Sequence, residues 1–189
     1  MIFDPLARAT AIAAGLAIAD GAQAQFRLTS PDFAPGGAIA DEQAYDSFGC
    51  TGGNVSPALA WSGAPQGTRS FALLVHDPDA PTGGAGWWHW LVVDIPAGTT
   101  GLPKGAGKTD GSRLPAGAAS VTTDYGVPGY GGPCPPVGDK PHRYNFTLYA
   151  LKVDKLELPK GANAALAGYM VNANAIGKAT LTGTYGRAK

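Results

Sequence analysis

The segment from Arg69 to Pro96 sets the tightest limit on what this chain can fold into. Ser70 to His76 is a run of β-forming apolar residues stopped by Asp77-Pro78, and Trp88 to Ile95 is an aromatic, β-branched run stopped by Pro96. Between them lie Pro78, Pro81 and glycines at 83, 84 and 86, which is turn composition. Two strands of this length joined so closely pair as an antiparallel hairpin. The end of the first then lies beside the start of the second. That pairing brings Asp77 toward His89, with Trp87, Trp88 and Trp90 around them. A carboxylate, an imidazole and indoles at one hairpin mouth suit a pocket rim better than a core.

The rest of the chain extends the β reading. With 28 glycines, 16 prolines and only 15% charged residues in 189, strands and turns are favoured over helices, and the length fits one domain. The 44% hydrophobic content gathers in strand-length runs, which excludes a disordered chain. Phe26–Ser30, Ala58–Trp61 and Ala179–Tyr185 read as strands, and the strongly apolar Arg143–Val153 reads as the centre of the sheet. Thr99 to Thr123 reads as a surface excursion with one strand near its end. Asn163 to Ala175 has apolar residues at 166, 169, 170 and 173, a helical stripe with Asn163 as N-cap and Gly177 as terminator. The fold class expected is mainly β, built on an antiparallel sheet.

Arg8, the apolar run Thr10 to Ala19 and the small-x-small triplet Ala22-Gln23-Ala24 resemble a signal peptide over residues 1–24. The domain would then occupy 25–189, begin at Gln25, and be periplasmic or secreted. The apolar run is too short to span a bilayer, so no stable membrane span is expected. Two cysteines in an exported chain predict one disulfide, Cys50–Cys134, and the lack of CxxC excludes zinc ribbons and thioredoxin-like sites. Fourteen basic against 14 acidic residues leave no net charge and no basic face for nucleic acid.

All three histidines, His76, His89 and His142, fall at strand ends, and two-residue alternation puts His142 and Tyr144 on one face. If the strand after His142 adjoins the hairpin, Asp77, His89, His142 and Tyr144 converge at one sheet edge. Imidazoles, a phenol and glycine-loop amides would supply donors to an anion, with Asp77 fixing a histidine tautomer. The competing reading makes each histidine a structural residue with its bonds satisfied.

The motifs DPDAPT at 77–82, WHW at 88–90 and GYGGPCPPVGDKPHRY at 129–144 resemble the signature regions of the phosphatidylethanolamine-binding protein family, in particular its bacterial Raf-kinase-inhibitor-like branch. The similarity runs from about Phe26 to the C-terminus and includes GCTGGNVSP, FTLYAL and GTYGR. The resemblance implies a large antiparallel sheet, a second smaller sheet, few peripheral helices, and a pocket for phosphate-like anions. By motif, Asp77, Trp87, His89, His142 and Tyr144 would surround that pocket, and Gly132 would lie in its wall loop. It implies no metal and no cofactor. Because DPDAPT must turn sharply, and the family points the same way, a cis bond is expected at Ala80–Pro81.

A non-catalytic binding protein for a small anionic or phosphoryl ligand is therefore the leading expectation. An inhibitor or signalling partner of a protease or kinase, working through the same surface, is the alternative; the cysteine and extra prolines at 129–141 depart from animal members and weaken transfer of kinase inhibition. An enzyme ranks last. A histidine–aspartate cluster suggests a metal hydrolase, Cys134 suggests a thiol nucleophile, and no GxSxG elbow is present.

Overall fold

A computed structural model describes residues 25–189 as two antiparallel sheets and one helix. The proposed signal segment, 1–24, lies outside the described residues. The small sheet has the order β1 (Arg27–Thr29), β2 (Leu59–Ser62), β5 (Gly101–Leu102). The large one runs β6 (Ala119–Ser120), β4 (Trp87–Pro96), β3 (Ser70–Asp77), β7 (His142–Leu151), β8 (Ala175–Tyr185). A single helix, α1 (Ala164–Asn174), precedes β8.

Both faces of the large sheet are covered, and that explains its sequence. Phe71, Leu73 and Val75 of β3 face a core shared with Leu28, Leu59, Trp61 and Leu102 of the small sheet. Ala72 and Leu74 face a second core closed by Ala164, Ala167 and Val171 of α1. A strand covered on both sides reads as a continuous apolar run. The centre of the sheet is accordingly β3, not the strand after His142. β7 is apolar mainly on one side, where Tyr144, Phe146, Leu148 and Ala150 point inward.

The helix has the expected position and cap, with Asn163 Oδ1 accepting from the Leu166 amide at 2.9 Å. Its buried face is not the expected one. Leu166 and Tyr169 are exposed, and the residues against the sheet are Ala164, Ala167, Gly168 and Val171. Small side chains let the helix approach closely: a Cβ on Gly168 would sit 3.8 Å from Leu74. Gly177 does not end the helix. Ala175 is already extended and opens β8, and Gly177 sits where a Cβ would meet Pro65 at 2.6 Å. The 99–123 excursion holds two short strands, β5 and β6, and buries Leu102 and Ala106.

β8 borders the sheet, and a segment from the 34–40 loop lies along it. Gly36 N–H donates to Thr182 O at 2.7 Å, Ile39 N–H to Thr184 O at 2.8 Å, and Thr184 N–H returns a bond to Gly37 O at 2.8 Å.

Every peptide bond among the described residues is trans, Ala80–Pro81 included, so the expected cis proline is corrected. The reversal after β3 is made by other means. Asp77 Oδ1 accepts from the Asp79 amide at 2.8 Å, and Gly83, Gly84 and Gly86 adopt φ of 74°, 100° and 69°. Three residues in the left-handed region turn the chain without a cis bond.

Candidate functional site

The hairpin register is Val75↔Trp90, His76↔Trp88 and Asp77↔Trp87, which leaves His89 as an extra residue on β4. That bulge re-aims its side chain, as bulges beside binding sites do. His89 is then pinned twice to the wall loop: the Gly131 amide donates to His89 O at 2.8 Å, and Nδ1 lies 2.7 Å from Gly131 O. A carbonyl oxygen can only accept, so Nδ1 carries the hydrogen.

Asp77 ends β3 and His142 opens the adjacent β7, and both are almost fully buried. His142 Nδ1–H donates to Asp77 Oδ2 at 2.8 Å, so Asp77 fixes the tautomer of His142 rather than of His89. The second Asp77 oxygen serves the Asp79 amide. Asp79 itself faces away and takes Arg143 through the backbone amide at 2.9 Å, Nε at 2.8 Å and Nη2 at 2.6 Å. The guanidinium hydrogen bonds hold its carboxyl down to about 2. The two aspartates of DPD thus divide the work: one faces the pocket, the other clamps the loop to β7.

These groups open into a cavity of about 250 Å³. Asp77, Trp87, His89 and His142 line it as expected. Tyr144 does not. Its ring stands edge-on behind His89, centroids 5.1 Å apart, and its buried hydroxyl meets no protein partner among the described residues. Gly132 does not line the cavity either. Its amide donates to Asn54 Oδ1 at 2.8 Å, and a Cβ there would meet Gln43 O at 2.0 Å, so it is a point of close backbone approach. The amides of Gly131 and Gly132 are therefore spent within the protein. His76 turns away from the cavity, onto Trp88 with centroids 4.2 Å apart and toward Ala85 O at 3.1 Å.

Several lining residues escaped the sequence reading. Tyr125 donates its hydroxyl to Gly132 O at 2.8 Å and places its ring 5.5 Å from both Trp87 and His89. Phe48, 68% exposed with φ of 55°, also lines the cavity, its ring 5.7 Å from that of Tyr125, while Cys134, Pro135 and Pro136 come from the Tyr130–Pro141 loop, where a wall was expected. Cys50 and Cys134 are joined as expected, S–S 1.97 Å and Cα–Cα 5.9 Å, which ties the Phe48 loop to that wall. No pattern in the sequence marked Tyr125; its loop is held by the neighbouring Asp124, whose carboxylate accepts from Trp88 N–H at 2.8 Å at the start of β4.

Burial governs the electrostatics. It pushes the His89 imidazole down to about 4, against smaller opposing effects of the Gly131 hydrogen bond and the Asp77 charge, and it raises the Tyr125 and Tyr144 phenols. His89 is neutral at neutral pH and both phenols keep their hydrogens. Trp87 Nε1 and His89 Nε2 are buried without protein partners. Among the described residues, no group of three or more His, Cys, Asp or Glu side chains is arranged to hold a metal.

A two-sheet domain whose strand ends meet at one small pocket of paired and unpaired polar groups defines a class of binding domain. The profile of the family described as phosphatidylethanolamine-binding protein matches residues 29–186, and the chain belongs to that family. It is 51% identical over 162 residues to UPF0098 protein YbcL of Escherichia coli (strain K12), covering 86% of this chain and 88% of that protein. It is 40% identical over 159 residues to UPF0098 protein YbhB of the same strain, covering 84% and 99%. The crystal structure of E. coli YbcL, described as a new member of the mammalian PEBP family, superposes with a TM-score of 0.83 over 86% of this chain and 99% of that one.

Proposed function

We propose that this protein is a non-catalytic binding protein, periplasmic or secreted, whose pocket takes phosphate-like anions or phosphorylated headgroups. The observation that carries the reading is the convergence of the Asp77–His142 pair, His89 and Trp87 on one cavity that contains buried polar atoms without partners. Buried polar groups left unpaired in a folded protein point to a ligand that pairs them. The groups that could attack a substrate are otherwise engaged. The Cys134 sulfur is in the disulfide, and the Thr82 hydroxyl donates to Gly86 O at 3.0 Å.

Calorimetry with phosphoryl-ethanolamine and with inorganic phosphate between pH 5 and 8 tests the reading, with His142→Ala as control. Binding should be measurable at millimolar ligand and fall at least about tenfold in the variant, the effect of removing a buried hydrogen-bonding group from the cavity lining. Burial keeps His89 mostly neutral over this range, so its own charging contributes little to the pH dependence of binding. No heat at any pH, or equal binding by the variant, would leave these residues as structure only.

Export rests on the residue 1–24 pattern together with the disulfide, a bond that persists in oxidising compartments. N-terminal sequencing of protein from a periplasmic fraction should begin at Gln25. Material in that fraction beginning at Met1 would overturn this.

A further inference from the structure

We propose that the pocket selects ligands that donate a hydrogen bond to His89 Nε2, so that among tetrahedral oxyanions it takes those carrying a proton, hydrogenphosphate and the monoanions of phosphate monoesters, over oxyanions with none, such as sulfate esters. The proposal rests on the anion-pocket reading above and sharpens it from charge to hydrogen-bond polarity.

The argument starts from one hydrogen. The His89 Nδ1 hydrogen is committed to Gly131 O at 2.7 Å, and the returning Gly131 amide fixes the ring's backbone. With Nδ1 protonated, a neutral imidazole shows only a lone pair at Nε2. That atom is buried and has no protein partner. Making it a donor would require a second proton on the ring, and burial opposes this strongly enough to hold the group at about 4.

The groups facing His89 come from every element around it. They are Asp77 of β3, His142 and Tyr144 of β7, Trp87 of its own strand, Tyr125 of the 124–141 loop, and His76 more distantly from the reverse of β3. The Gly131 and Gly132 backbone and, among these side chains, the Asp77 carboxylate alone would favour an imidazolium. Both its oxygens are already engaged, by the His142 Nδ1–H and the Asp79 amide, each at 2.8 Å. Among the groups lining the cavity, His89 carries an unpaired acceptor at Nε2 and Trp87 an unpaired donor at Nε1–H, beside the Asp77–His142 pair, whose outer nitrogen, His142 Nε2, lies 3.6 Å from Asp139 Oδ2. A fully deprotonated oxyanion satisfies the indole but sets lone pair against lone pair at His89. A protonated oxyanion satisfies both and brings less negative charge toward Asp77. Leaving a buried acceptor unpaired weakens binding by about tenfold to a hundredfold.

Methyl phosphate and methyl sulfate separate these effects. The two have nearly the same shape, and at pH 5.5 both are predominantly monoanions, since a phosphate monoester loses its second proton only near pH 6. Only methyl phosphate then carries a hydrogen. Calorimetry on the full protein at pH 5.5 should show methyl phosphate binding at least about tenfold tighter than methyl sulfate. His89→Gln, whose amide can turn either its donor or its acceptor to the ligand, should reduce that ratio to about twofold. A second readout does not depend on the variant folding: the ¹⁵N resonance of His89 Nε2 in the unliganded protein should be that of an unprotonated ring nitrogen and should shift when methyl phosphate is added. Methyl sulfate binding within about twofold of methyl phosphate, a ratio unchanged in His89→Gln, or a protonated Nε2 in the free protein would each overturn the proposal while leaving the anion pocket standing. Failure of both esters to bind at millimolar concentration would overturn the anion reading and this proposal with it.

Discussion

Replacing Cys50 and Cys134 together by alanine is expected to lower the free energy of unfolding by about 4.5 kcal/mol, an upper value. It follows from the separation of 84 residues that the bond closes, because the cross-link removes loop entropy from the unfolded chain. Residual structure in the unfolded chain reduces the effect. For a domain of this size the loss corresponds to a fall in melting temperature on the order of 10 °C. Urea unfolding of Cys50→Ala/Cys134→Ala beside the oxidised parent measures it. A difference below about 1 kcal/mol would mean that the bond contributes little to stability. The same variant should bind phosphoryl ligands more weakly, since the bond holds the Phe48 loop against the Cys134–Pro136 wall of the cavity.

The second large effect is a dependence of stability on pH carried by His89. Its folded-state value lies near 4, against an ordinary value of 6.5, because the ring is buried. Above pH 6.5 the group is neutral in both states and contributes no slope. As pH falls below 6.5, the unfolded chain takes up a proton that the folded protein refuses, and the folded state loses stability. The loss is complete near pH 4, where the folded form also protonates, and amounts to about 3 kcal/mol. Other groups titrate over the same window, so the test is a difference: unfolding free energies of the parent and of His89→Gln at pH 7.5 and pH 4. The parent should lose about 3 kcal/mol more than the variant. A gap between the two that stays constant with pH would show that burial does not hold this imidazole neutral.

Much of this architecture was legible from residue order, and the misreadings share a cause. Strands β3 and β4 announced themselves as apolar runs bounded by Asp77-Pro78 and Pro96. Which strand lies at the centre was not legible, because apolar content does not reveal how many faces are covered. β3 has a sheet on one side and α1 on the other, while β7 has a full core on one side only. The helix face was misassigned for a related reason. Leu166, Tyr169 and Met170 carry the hydrophobic signal, but close approach to the sheet selects Ala164, Ala167 and Gly168.

The site divides in the same way. Asp77, His89 and His142 were legible because strand ends must meet where strands pair. Phe48 and Tyr125 were not, since each reaches the cavity on a loop fixed by a distant partner, the disulfide in one case and the Asp124–Trp88 contact in the other. Two-residue alternation put Tyr144 on the correct face but says nothing of depth, and it stands behind His89 instead of beside it. Gly132 was placed in the right loop by resemblance, while its role there is to let two backbones touch.

The segment lying along β8 bears on how the protein behaves among copies of itself. An open sheet ends in strands whose free amides and carbonyls can recruit another chain, and natural proteins block such templates. Here Gly36 to Ile39 occupies the Thr182–Thr184 positions at one end of β8, and Pro65 crowds Gly177 near the other. Lys178 lies between them, a charge that disfavours a stacked partner. At the opposite border β6 offers two residues, too few to template a stable addition. The five-stranded sheet is thereby kept finite without closing into a barrel, its two borders offering little template for another chain.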